Sequence, residues 1–393
     1  MTHQGRDSVL TEFSPVDWRK PFASGLYKTG MLRAARAISK THELYSPEGS
    51  RVPRWRRVTT PKFLILCYHR VGTGGVPIYS ELSPELFEAQ MRFLKKHYRI
   101  VSLAEVCSGL QTPSNLGPSV AITFDDGYRD VYTQAFPILQ KYDIPATVFL
   151  IADALETGEV AWYDRVFVAM QAAPAGDFSI QLDDVRVFQL TSRQSRLLAG
   201  FETISYLRSL PNEDRKRFCA SLERRVELPR QELENRMMTW SQAETMQNAG
   251  ISFGSHTVTH PAVSRLSSVG LEFEIAESKR ILEAKLGRAI EDFAYPFGQP
   301  KDCGNVAAGR LASSGYRSAV TTVHGINTPG VDLFGLRRTQ VGPEHTLPLF
   351  SLFLNQCFLY ASPSPRNGTA SADGRSAERT ADRASSIKKA RHA

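Results

Sequence analysis

Ser119-Val120-Ala121-Ile122-Thr123-Phe124-Asp125-Asp126-Gly127-Tyr128 sets two adjacent carboxylates directly after a short apolar run. Val120 to Phe124 is rich in β-forming residues and is bounded by Pro118 and Gly127, the pattern of a buried strand. Apolar residues then recur at Tyr128, Val131, Tyr132, Ala135, Phe136, Ile138 and Leu139, which predicts a helix over 128–141. Strand, tight turn and helix form one unit of an α/β fold, and such folds place their chemistry at the turn after the strand. Two neighbouring acids there repel each other unless a cation or a proton relieves them. Because consecutive side chains diverge, one can hold a metal while the other faces a bound water. A solvated acidic turn that caps the next helix, with Asp130 nearby, is the plainer alternative.

The alternation extends to both sides. Phe63 to Cys67 reads as a strand ending in Tyr68-His69-Arg70, and Ser83-Pro84-Glu85 opens a helix with Phe87, Met91 and Leu94 on one face. Strands are predicted at 99–102 and 146–151. A helix at 241–249, a strand at 251–254 and a long helix over 267–286 ending at Gly287 follow, then strands at 292–295, 317–321 and 336–341. This order predicts a parallel sheet or barrel with helices outside. Residues 155–238 interrupt it with Trp162-Tyr163-Asp164, a hairpin over 178–190 and a charged helix over 213–225. They read as an insertion between two core strands, a lid or substrate-facing subdomain.

The core domain thus spans 59–360. Before it, residues 1–58 form a basic extension. Leu26, Met31, Leu32, Ala35 and Ile38 alternate there with Lys28, Arg33, Arg36 and Lys40, a short amphipathic helix suited to an anionic membrane surface or to packing on its own domain. Residues 361–393, rich in Ser, Ala, Gly and Arg, read as a disordered basic tail.

The 393 residues carry 48 Lys and Arg against 40 Asp and Glu. The excess sits at the ends: 11 basic against 5 acidic residues over 1–60, and 7 against 3 over 361–393. A near-neutral core gives no support to nucleic-acid binding. Cys67, Cys107, Cys219, Cys303 and Cys357 are odd in number and never spaced as CxxC, which suits buried thiols in a reducing compartment. The polar start and the lack of an apolar run of about 20 residues lead to the expectation of a cytoplasmic protein, with any membrane contact peripheral and through the N-terminal helix.

Gly254-Ser255-His256-Thr257-Val258-Thr259-His260-Pro261 also follows a predicted strand, so two histidines four residues apart reach the rim that carries the aspartates. That is metal-ligand spacing. Pro261 disfavours helical geometry at His260, which puts the pair on a loop. No Glu stands between the histidines, so a general base must come from Asp125 or Asp126.

Thr123-Phe124-Asp125-Asp126-Gly127, His256-Thr257-Val258-Thr259-His260 and Tyr295-Pro296-Phe297-Gly298 resemble, in order, the first three motifs of the polysaccharide deacetylases, the NodB homology family of carbohydrate esterases. The resemblance covers most of 61–345. It implies a distorted (β/α)7 barrel and a divalent metal, most often zinc, acting on an N-acetylated carbohydrate. Asp126, His256 and His260 would be the metal ligands, Asp125 the general base, and Phe297 the backbone donor to the oxyanion, with Tyr295 and Arg338 beside the substrate. The family's third motif usually begins with an arginine that orients the base. Ala294 stands there instead, leaving Arg337 or Arg338 as substitutes. The motif that usually supplies the acid histidine has no good match near 336–341. Tyr68-His69-Arg70-Val71 is similar to the early Tyr-His motif of the poly-β-1,6-N-acetylglucosamine deacetylases, which makes His69 the general-acid candidate, with His345 and His324 next. Two further readings keep the same residues: deformylation or O-deacetylation, and a catalytically silent barrel that holds a glycan.

Overall fold

The computed structural model describes residues 61–359 apart from 74–80, 113–116, 183, 230, 232 and 305–306. The amphipathic segment 26–40, the ends of the core domain and the tail from 361 lie outside these residues. None of the described helices is long and apolar enough to cross a membrane. All five cysteines are free thiols.

Eight short parallel strands make the core: β1 (Phe63–Tyr68), β2 (Arg99–Ile100), β3 (Ser119–Phe124), β4 (Ala146–Leu150), then, beyond the insertion's β5 (Asp177–Gln181) and β6 (Val185–Gln189), β7 (Ser252–Ser255), β8 (Asp292–Ala294), β9 (Ser318–Val320) and β10 (Arg338–Gln340). Seven of them run in the order β10-β1-β3-β4-β7-β8-β9. β1 covers one edge of β3, while β2 and β4 divide the other. Leu336, just before β10, donates to the Ala319 carbonyl (3.0 Å) and accepts from the Thr321 N–H (2.8 Å), so the two ends of the sheet meet. The result is a nearly closed, distorted α/β barrel, as the motif resemblance implied.

Alternation along each strand sorts the core into two layers. Phe63 and Ile65 join Ala121, Phe149, Ala294, Val320 and Leu336 inside the barrel, where Val101, Leu103, Val106 and Leu110 extend the cluster. Leu64, Leu66 and Tyr68 face outward onto Phe87, Met91 and Leu94 of the helix Pro84–His97. The interior is tight. A Cβ on Gly254 would stand 2.5 Å from the Phe149 ring and 2.7 Å from the Asp292 carbonyl oxygen, so only glycine fits below the histidine loop.

Two predicted helices contain π-turns. The segment after Tyr128 winds as a π-turn (Val131–Ala135) before the helix Phe136–Lys141, and the long segment 268–286 carries one at Phe273–Glu277. Such turns re-aim side chains and recur at functional sites. The insertion is built from the helix Trp162–Ala172, the β5–β6 hairpin and the helices Arg193–Ser209 and Asn212–Arg225, around its own apolar cluster of Val166, Met170, Ile180, Leu207 and Leu222.

Candidate active site

His69, Asp125, Asp126, His256, His260, Tyr295 and Phe297 lie in the segments that follow β1, β3, β7 and β8, and Arg338 lies on β10. Asp125 and Asp126 follow β3, and Asp126 takes a left-handed backbone (φ 75°) that turns its carboxylate away from its neighbour's. His256 follows β7. His260 (φ 57°) returns on a loop, not a helix, as Pro261 requires. The three side chains are almost wholly buried.

Their donor atoms converge. Asp126 Oδ1 lies 3.4 Å from His256 Nε2 and 3.6 Å from His260 Nε2, and the two Nε2 atoms are 3.2 Å apart. Three ligands held tetrahedrally at zinc–ligand distances would stand about 3.3 Å from one another. Both Asp126 oxygens are buried without a hydrogen-bond partner. An unpaired buried carboxylate facing two imidazole nitrogens is costly unless a cation sits among them. His256 Nδ1 lies 2.7 Å from the Ala294 carbonyl oxygen, which fixes the tautomer that leaves Nε2 free to ligate. The residues therefore fit a divalent metal. Burial pulls the His256 pKa down, but Asp125 and Asp126 outweigh it and raise the imidazole above its usual value. Burial and His256 together push His260 well below it.

The histidine loop has no unpaired backbone polar group between 257 and 260. Thr257 N–H donates to Ser255 Oγ and His260 N–H to Thr257 Oγ1. Val258 and Thr259 N–H both donate to Glu274 Oε2 (2.8 and 2.9 Å), a buried carboxylate that the π-turn aims at the loop. The carbonyls of Thr257 and Val258 accept from Ala152 and Asp153 N–H. Those of Thr259 and His260 accept from Arg215, and His260 also from Trp162 Nε1. Glu274, Trp162 and Arg215 escape a motif-level reading.

Beside this triad, both Nη atoms of Arg338 donate to the two oxygens of Asp125 at 2.7 Å each. Burial pushes the Asp125 carboxyl up, yet Arg338 outweighs it and holds the group far below the ordinary carboxylate range. Arg338 Nε donates to the Thr321 carbonyl, so the guanidinium is fixed from two sides. Arg337 turns elsewhere: its side chain lies against Gly325 and near His324, and among the described residues no hydrogen bond or ion pair joins it to Asp125. Ala294 lies in the barrel interior with Phe149, whose ring Arg338 crosses at 5.5 Å. Cys67, His69 and Asp125 each offer an atom within 4.8 Å of the others. Because Arg338 already occupies both Asp125 oxygens, that group is a poor second cation site.

His69 is half-buried at this rim. Burial lowers its pKa against the pull of Asp126 and Asp125. His324 Nδ1 pairs with Thr339 Oγ1 (2.9 Å), and His345 Nδ1 lies by Glu344 and the Gly342 N–H; both rings pack on Phe353. Phe297 (φ 61°) stacks edge-on against His260 at 4.9 Å between ring centres, and among the described residues its N–H meets no acceptor. The Tyr295 hydroxyl donates to the Phe334 carbonyl, within the barrel wall.

A parallel α/β barrel whose strand ends gather a carboxylate, two imidazoles and a second, arginine-paired carboxylate defines a hydrolase-type site. The sequence model of the polysaccharide deacetylases matches residues 113–317, just over half of the chain. The protein belongs to the polysaccharide deacetylase family. YxkH of Bacillus subtilis (strain 168), which carries the name of a polysaccharide deacetylase, is 23% identical over 305 residues, covering 76% of this chain and 79% of that one. A poly-β-1,6-N-acetyl-D-glucosamine N-deacetylase of Staphylococcus aureus is 39% identical over 109 residues, which cover 27% of this chain and 37% of the relative. The solved structure of the Streptococcus pyogenes deacetylase PplD in complex with acetate shares the fold, with a TM-score of 0.51 at 23% identity, covering 75% of this chain and 99% of that one.

Proposed function

We propose that the protein is a metal-dependent hydrolase that removes N-acetyl groups from a carbohydrate. The observation that carries this reading is the convergence of Asp126 Oδ1, His256 Nε2 and His260 Nε2 within 3.2–3.6 Å, with the Asp126 carboxylate otherwise unpaired. Asp126, His256 and His260 would hold a divalent cation, zinc by the donor set, which would supply Lewis-acid polarisation of the acyl carbonyl and an acidified water.

The chain's own residues do the rest. Asp125, kept ionised by Arg338, takes the proton of the attacking water; the two Arg338 bonds and the Cys67 thiol take three of the carboxylate's roughly four acceptor positions and leave one for it. As charge develops on the acyl oxygen, the Phe297 N–H faces it. His69 gives a proton to the departing amine. The staphylococcal relative, by its name, acts on an N-acetylated glucosamine polymer, which supports the substrate class. Free, mostly buried thiols support a reducing compartment, and hence a saccharide or glycolipid precursor as substrate. The silent barrel draws support from Ala294 and from the unmatched late motif; Arg338 on Asp125 supplies the arginine that Ala294 lacks and so removes the first of these.

The test is release of acetate from N-acetylated oligosaccharides by the purified protein loaded with zinc. Activity that a chelator abolishes and zinc restores supports the reading. Tight zinc binding without turnover of any N-acetylated glycan or precursor, alongside tight glycan binding, would replace it with the silent one.

A further inference from the structure

The insertion touches the loops of all three motifs from outside the barrel. From the helix Trp162–Ala172, Asp164 accepts the hydroxyl of Tyr128, two residues after Asp126, and Trp162 Nε1 donates to the His260 carbonyl at 3.0 Å. Arg208, on the helix Arg193–Ser209, pairs with Asp302 through both ends of its guanidinium and lies 4.6 Å over the Phe297 ring. Arg215, on the helix Asn212–Arg225, donates through Nη1 to the His260 carbonyl at 3.0 Å and stacks on Trp162 at 4.8 Å. Arg215 is 3% exposed and, among the described residues, has no carboxylate partner, an unusual place for an arginine.

We propose that Arg215 and Trp162 are positioning residues for His260, and that the insertion assembles the metal half of the site from behind. The proposal rests on the metal reading above. Its physical basis is the backbone of His260, which is held left-handed (φ 57°), a conformation that crowds the Cβ of any non-glycine residue. Two buried donors on one carbonyl oppose relaxation of that residue. If it relaxed, its Nε2 would leave the 3.2–3.6 Å triangle formed with His256 and Asp126. Neither residue touches a reacting atom. Each acts through the direction in which the ligand points.

The sign of the effect separates this role from simple electrostatics. Deleting a cation beside the site would strengthen binding of another cation by Coulomb's law. Loss of positioning weakens it, and residues behind a ligand typically contribute about 10–100-fold in metal affinity. Zinc affinity of the whole chain is therefore measured by chelator competition for the wild type, Arg215→Met and Trp162→Phe, with the apo unfolding midpoint recorded for each. Trp162→Phe removes the indole N–H together with its five-membered ring and leaves an aromatic face for Arg215. Both variants are expected to bind zinc about tenfold or more weakly while still folding. Should Arg215→Met not fold, Trp162→Phe decides. Folded variants with wild-type or tighter zinc affinity would overturn the proposal and leave the metal reading intact. A wild type that binds no zinc would overturn both.

Discussion

Arg338 and Asp125 stand 213 positions apart in the chain and meet through two parallel bonds of 2.7 Å, the arginine wholly buried. The motif resemblance leads one to look for this arginine where Ala294 stands; the arginine that pairs with Asp125 comes instead from β10.

Arg338→Met should cost about 10²–10³ in kcat/KM, because the buried Asp125 loses the charge that keeps it ionised and its pKa rises. The acidic limb of the pH–rate profile should therefore move to higher pH. A lysine at 338 can occupy only one oxygen and should rescue in part. An unmoved limb in Arg338→Met would show that Asp125 is not the titrating base.

Asp125→Asn should keep zinc and lose most turnover, whereas Asp126→Asn, His256→Ala and His260→Ala should lose zinc. Chelation should abolish activity with little change in circular dichroism, since the donors sit on rim loops over a separate apolar core. Exchanged phenotypes for the two aspartates would exchange their roles.

His69→Ala should leave zinc content unchanged and slow cleavage of an N-acetyl sugar by about 10²–10⁴, the usual worth of a general acid. An aryl acetate, whose leaving group needs no proton, should suffer far less. Equal losses on the two substrates would falsify the acid role and turn attention to His345 and His324.

Asp164 is predicted to make stability depend on pH. Burial pushes its carboxyl up to about 7, although the Tyr128 hydroxyl donates to it and pulls the other way. Unfolded, it titrates near about 3.9. Between those values the folded protein holds a proton that the unfolded chain has released, so this group's contribution falls as pH rises from about 4 to 7 and is level above. Asp164→Asn keeps an acceptor for Tyr128 but cannot titrate. Its unfolding free energy relative to wild type should rise by a few kcal/mol across that window, on the order of 1.4 kcal/mol per unit. A gap that stays flat from about pH 5 to 8 would mean that Asp164 is ionised throughout.

What the sequence discloses follows from how locally each feature is encoded. Asp125, Asp126, His256 and His260 stand in short windows directly after strand-like runs, so both the barrel rim and its donor set are readable from them. Choosing between Arg337 and Arg338 needs the side to which a three-residue strand turns each neighbour, and β10 is too short for alternation to show it. Arg215 sits in a run with Lys216 and Arg217, and nothing local separates a buried donor from two solvated cations. Glu274 is hidden for another reason: a π-turn shifts the helical phase on which a prediction of its facing depends.

Closure of the barrel through Leu336 and β10 also fixes an order of events during synthesis. A nascent chain that ends before residue 338 has already made both acids of β3 but not the guanidinium that Asp125 needs. Until the last strand emerges, the chain carries two neighbouring carboxylates with no arginine to offset them, at a position the finished fold buries. Truncated translation products should therefore lack a competent base even where their histidine loop is complete. The Asp125–Arg338 pair itself can form only once β10 has been made.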